Sequence, residues 1–105
     1  METTLVIFRK WRQSEKLWPD LGPEVFALFP LIPANGYGFS CLSYEHVGQH
    51  GGANYYHCMH DSHAASAEEY ADLKTELESL GYRLRVGKRA PHNALEQRRA
   101  TVEGE

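Results

Sequence analysis

The chain has only two cysteines, Cys41 and Cys58, and no apolar run approaching the thickness of a bilayer. Two thiols are too few for a disulfide-stapled mini-protein or a four-cysteine zinc site. The longest apolar stretches, Leu5 to Phe8 and Val25 to Pro33, fall far short of the roughly 20 residues that a spanning helix needs. No P-loop, dinucleotide fingerprint or Gly-x-Ser-x-Gly motif occurs, so the common nucleotide and acyl-transfer templates find no anchor. The opening Met1-Glu2-Thr3-Thr4 lacks the basic and apolar regions of a signal peptide. The expected location is therefore the cytoplasm, with no membrane partner. Both thiols would stay reduced there and pack as small hydrophobes.

Positive charge is scarce in the middle of the chain. Residues 17–82 hold one base, Lys74, against nine acids, a local balance of -8. The two ends hold ten bases and five acids, a balance of +5, and the whole chain carries -3. Such asymmetry fits either an anion-attracting patch or basic end strands lying beside an acidic helix. What is present suits a globular fold: 105 residues, 42% hydrophobic and 24% charged, enough for one domain and one core. Residues 1–90 read as that domain and 91–105 as a polar tail, with a short helix from Asn93 to Ala100.

Thr4 to Trp11 reads as a strand whose start, Leu5-Val6-Ile7-Phe8, is apolar throughout and so covered on both faces. Gln13 to Pro23 is a connection, with Trp18 as a lid over the core. Glu24 to Leu31 is a second strand, stopped by Pro30 and Pro33. Asn35-Gly36 is a strong hairpin signal, and a third strand follows from Phe39 to about Val47. After a glycine-rich turn, Ala53 to Ala64 returns as a fourth strand. Ser66-Ala67-Glu68-Glu69 then matches a capping box at the start of a helix. Tyr70, Leu73, Leu77 and Leu80 form its apolar stripe; Glu68, Asp72, Glu76 and Glu78 face water. Gly81 stands at the left-handed C-terminal position, and Tyr82 to Lys88 alternates as a last, half-buried strand. The expected fold is α+β. It is an antiparallel sheet of four to five strands in the order β-β-β-β-α-β, with one amphipathic helix across a face. If the first and last strands are neighbours, Arg9, Lys10, Arg83, Arg85, Lys88 and Arg89 would form one basic face.

The stretch from Ser43 to Gly52 is the natural candidate site. It sets Tyr44, His46, Gln49 and His50 among three glycines, and polar side chains on such a loop are common material for binding.

Ala27-Leu28-Phe29-Pro30, Ser43-Tyr44-x-His46-Val47-Gly48-Gln49-His50-Gly51 and Glu69-Tyr70-x-x-Leu73-x-x-Glu76-Leu77-Glu78-x-x-Gly81-Tyr82 are the marks of a likeness that extends over most of residues 4 to 89. On these segments the chain resembles a family of small, uncharacterised bacterial proteins. The resemblance brings no activity; it implies a stand-alone bacterial protein.

Metal binding is the alternative. Six histidines lie between His46 and His92, five of them within eighteen residues. His46 and His50 could share an ion only if the Gly48 turn folds one back, because four strand residues span about 13 Å and zinc–nitrogen bonds are about 2.1 Å. In a hairpin centred between His50 and Gly51, Cys41, Cys58 and His60 would cluster as three zinc-competent ligands. That arrangement depends on register. The main expectation is a non-enzymatic binding or assembly module without a cofactor, acting as a homo-oligomer on an unidentified small-molecule or anionic ligand. Zinc is the alternative cofactor. Nucleic-acid binding is not expected, because no aromatic stacking platform accompanies the bases.

Overall fold

The computed structural model describes residues 3–12, 24–34, 40–45 and 49–103, with Gln49 and Glu103 described by backbone alone. The connection around Trp18, the Asn35-Gly36 turn and the His46–Gly48 turn lie outside the described residues.

The fold is α+β, built on a mostly antiparallel sheet. Strand β1 (Thr4–Trp11) pairs antiparallel with β2 (Val25–Pro33), and β2 pairs antiparallel with β3 (Cys41–Glu45). β3 pairs antiparallel with β4 (Gln49–Ala53). On its other edge β1 carries β5 (Ser62–Ala64), antiparallel, and β6 (Leu84–Val86), parallel. Three helices complete the described fold: α1 (Tyr55–His60), α2 (Ala67–Ser79) and α3 (Ala94–Glu103). None is long and apolar enough to cross a membrane.

Covering on both faces is what Leu5 to Phe8 predicts, and all four residues are buried. Val6, Phe8, Ala27, Phe29 and Tyr44 point to one side, where Leu73 and Leu77 of α2 close over them. Ile7, Phe26, Leu28 and Cys41 point to the other, against Tyr55, Cys58 and Met59 of α1. Helix α3 packs on β2, and its buried Arg98 donates to the Pro30 carbonyl at 2.6 Å. Phe8 stacks on Tyr70 at 4.3 Å, joining the sheet to α2, and Trp11 stacks on Phe26 at 4.0 Å across β1 and β2. Each fully buried Leu or Phe contributes about 1.5–3 kcal/mol by leaving water.

Several expectations need correction. The 53–64 segment is not one strand but helix α1 followed by the three-residue β5. Asn54 caps the helix, its side chain accepting the His57 N–H at 3.1 Å. Tyr55, Cys58 and Met59 then meet the sheet at i, i+3 and i+4, a helical period. The β3–β4 hairpin pairs Tyr44 with His50 and Cys41 with Ala53, so its centre falls near Val47, not between His50 and Gly51. β2 runs past Pro30 to Pro33, but its register with β3 shifts between Phe29 and Pro33, where proline supplies no N–H. The last strand is only Leu84–Val86 and runs parallel to β1.

The capping box forms as expected: Ser66 Oγ accepts the Glu69 N–H, and Glu69 Oε1 accepts the Ser66 N–H. Gly81 takes a φ of 106°, the left-handed region. Leu80, however, is exposed, because it is the C-cap and the helix has ended before its side chain can turn inward. Glu76 is half-buried, one position before Leu77 on the sheet-facing side.

Candidate functional site

The paired residues Tyr44 and His50 stand on the face of the sheet that α2 covers, at its β4 end. Their rings meet edge to face at 4.7 Å. Tyr82 reaches the same place from the helix side. The left-handed turn at Gly81 lets the Tyr82 N–H bond back to the Leu77 carbonyl at 3.3 Å. The Tyr82 ring then lies stacked on Phe29 at 5.0 Å, and its hydroxyl is 2.9 Å from His50 Nε2. Tyr44 is buried and donates its phenolic proton to the Glu76 carboxylate. That bond, then burial, then the charges of Glu76 and Tyr82 raise the Tyr44 pKa. Burial raises Tyr82 as well. Both phenols are therefore neutral at physiological pH, and the exposed His50 is the member of the group that meets solvent.

Two of the four expected site residues, Tyr44 and His50, thus come together. His46 lies outside the described residues, and Gln49 is placed only as the backbone partner of Glu45. Glu76 and Tyr82 join the group although neither was assigned to it. Glu76 follows Leu73 by three and precedes Leu77 by one, which marks it as an acid on the buried side of the helix. Tyr82 carried only a general signal, as the first residue after the helix stop.

The cysteine–histidine grouping does not assemble in the expected way. Cys41 and Cys58 share the apolar cluster under α1, on the sheet face opposite Tyr44 and His50. Both are free thiols. Burial pushes Cys41 up to about 11, moderated by the nearby Arg98 charge. Burial also raises Cys58, followed by the charges of Asp61 and Glu45. His60 instead points outward, its side chain 88% exposed and its Nδ1 3.0 Å from Asp61. The helical backbone of 55–60 turns His60 away from Cys58, whereas a strand would have kept them on one face. Among the described residues no three His, Cys, Asp or Glu side chains converge to hold a metal ion.

The expected basic face is also divided. The first and last strands are neighbours, yet Arg9 and Lys10 point to opposite faces of β1. Arg9 donates to Ser62 Oγ at 2.9 Å, to the Met59 carbonyl at 3.1 Å and to the Ser62 carbonyl at 2.6 Å. Lys10 bonds Glu69 at 3.0 Å. Arg83, Arg85, Lys88 and Arg89 remain exposed around β6.

Comparison of the chain with family models, curated proteins and solved structures returns no match.

Proposed function

We propose that this chain is a cytoplasmic binding and assembly module, without catalysis of its own, that forms a homo-oligomer by pairing β4 with β4 of a second copy. The observation that carries this reading is the character of the β4 edge. Among the described residues β4 pairs only with β3, leaving a row of backbone donors and acceptors on its outer side. Edges of this kind are normally guarded by lysine, proline, a bulge or a covering element. β4 reads Gln-His-Gly-Gly-Ala, without lysine, arginine or proline. Gly51 and Gly52 are exposed and carry no side chain to fend off an approaching strand.

The strand is also held in place. Ser43 Oγ donates to the Gly51 carbonyl at 3.1 Å, and His50 is fixed between Tyr44 and Tyr82. An edge held by such contacts suits strand addition, in which main-chain bonds supply the affinity. An antiparallel pairing across a twofold axis would be self-complementary, the commonest symmetry among soluble oligomers. It would also bring the two His50 side chains close to the axis.

Sedimentation velocity over a concentration series tests this directly. The wild-type chain should sediment as a dimer or a closed multiple of it, and Gly51→Lys should sediment as a monomer. The substitution is mild for the fold: Gly51 has no positive φ, and a Cβ there meets only Ser43 Oγ at 3.6 Å. Unchanged far-UV dichroism would show that the variant folds. A wild-type chain that stays monomeric, or a Gly51→Lys chain that associates like wild type, would sink the reading.

A further inference from the structure

The outer edge of β1 contains a gap. β6 covers Thr4 to Val6 and β5 covers Arg9 to Trp11. Because one runs parallel and the other antiparallel to β1, they advance towards each other and stop on either side of Ile7. Their last bonds are Gly87 N–H to the Val6 carbonyl at 2.9 Å and Ala65 N–H to the Phe8 carbonyl at 3.1 Å. Val6 and Phe8 are two residues apart, so both carbonyls face the same edge. Beyond these bonds the chain leaves in opposite directions. From β5 it passes through Ser66 into α2, over the Phe8 face. From β6 it reaches Ala90, whose N–H donates to the Tyr55 hydroxyl at 2.8 Å on the Ile7 face. Two strands that meet end to end along one edge, and whose chains then diverge to opposite faces, leave a crevice between them.

The crevice encloses about 310 Å³, at the lower end of the range for small-molecule sites. Its apolar walls include Phe8, Ala65, Tyr70 and Val86, with the Tyr70 ring held by its stack on Phe8. Gly87 lets the end of β6 press against β1, since a Cβ there would stand 2.8 Å from Leu5 Cδ1. The charged lining residues are Arg9 and Lys88, both positive, and no acid is among them. The Arg9 guanidinium bonds Met59 and Ser62 on the Ile7 face, away from the Phe8 and Tyr70 walls, which leaves Lys88 as the cation at the rim. Lys88 is exposed and makes no ion pair among the described residues. Two acids adjoin the lining in sequence: Glu69 is committed to Ser66 and Lys10, and Glu68 is exposed on α2.

We propose that this crevice binds a small carboxylic acid with a flat apolar body. The body lies against Tyr70, Ala65 and Val86, and the carboxylate faces Lys88 at the rim. A compact polyanion such as phosphate is a poor fit, because it would leave the apolar walls wet.

Amide-resolved NMR titration of the full chain with phenylpropionate, phenylpropanol and inorganic phosphate provides the test. Phenylpropionate should give saturable shifts at Phe8, Ala65, Tyr70 and Gly87. Phenylpropanol should bind the same amides more weakly, and phosphate should leave them unmoved. Lys88→Glu, at an exposed position, should weaken phenylpropionate roughly fivefold to tenfold without altering phenylpropanol. The proposal is overturned if phenylpropionate gives no saturable shifts at millimolar concentration, or shifts His50 and Tyr82 instead. Equal binding of acid and alcohol, or of phosphate at the same amides, would overturn it too.

Discussion

Leu77 and Leu80 stand three residues apart at the end of one helical stripe, yet the first is 0% and the second 56% exposed. Truncating each to alanine therefore separates burial from mere periodicity. Leu77 closes over Val6, Ala27 and Phe29 in a layer with no slack on the sheet side, where all three are fully buried. Removing its isobutyl group loses the transfer energy and leaves a cavity that strands cannot easily collapse into. The expected loss is about 3 kcal/mol, within a range of roughly 2–5. Leu80→Ala removes a side chain that already meets water, and should stay within about 0.5 kcal/mol. In urea, with a slope of roughly 1–3 kcal/mol/M, the first loss lowers the midpoint by about 1–3 M and the second hardly moves it. Association adds a concentration-dependent contribution, so both variants are compared in the Gly51→Lys background at one protein concentration. A Leu77→Ala loss below about 1 kcal/mol, or one no larger than that of Leu80→Ala, would refute the packing of α2 on the sheet.

Two further outcomes follow from the charged and thiol groups. The Glu69 carboxyl is held below its ordinary value of 4.5 by the Ser66 N–H and by Lys10. A depressed carboxylate stabilises the fold above its unfolded pKa and ceases to do so as pH falls through the folded value. The stability difference between wild type and Glu69→Gln should thus be largest at neutral pH and shrink in acid. A difference that stays flat down to strongly acidic pH would rule out the Ser66–Glu69–Lys10 arrangement. Cys41, fully buried and shifted up to about 11, should resist iodoacetamide at mildly alkaline pH. Mass spectrometry should find Cys58 alkylated first and Cys41 only after unfolding; Cys41 reacting first would contradict its burial.

The fold was readable wherever a local device fixes the backbone without outside help. The capping box at Ser66, the left-handed stop at Gly81 and the unbroken apolar run of β1 are such devices. The misread parts are those where two periods compete over few residues. In the 53–64 segment, the return after a glycine-rich turn suggests a strand, while Tyr55, Cys58 and Met59 at helical spacing decide the outcome. The Asn54 cap was the available tiebreaker. Hairpin centre was similarly open: with the glycines at 48, 51 and 52 either turn is sterically possible. Placing the turn near Val47 lets Tyr44 oppose His50 and leaves Cys41 opposite Ala53. That register assembles the Tyr44–His50–Tyr82 group, while the helical backbone of 55–60, which turns His60 outward, breaks up the cysteine–histidine cluster. Tyr82 and Glu76 could not be assigned from sequence, because their roles depend on how α2 lies over the sheet.

The uneven charge has a physical account once the strand faces are known. Successive residues of β1 point to opposite faces, so Arg9 and Lys10 cannot belong to one basic surface even though β6 is a neighbour. Lys10 neutralises an acid of α2, which explains why an acidic helix and a basic strand coexist. Arg9 instead spans from β1 to the end of α1 and β5, tying down a segment with little core of its own. What is left unspent is the group at the far end of the chain, Arg83, Arg85, Lys88 and Arg89, around the same β6 whose end borders the crevice. Exposed cations grouped around an opening raise the local concentration of anions there without needing to touch them. Capture of a carboxylate at the crevice should therefore slow as salt is added, by more than the loss of the single Lys88 contact would explain. Replacing Arg83 and Arg85 together by glutamine should remove most of that salt dependence while leaving the apolar walls, and binding of the uncharged alcohol, intact.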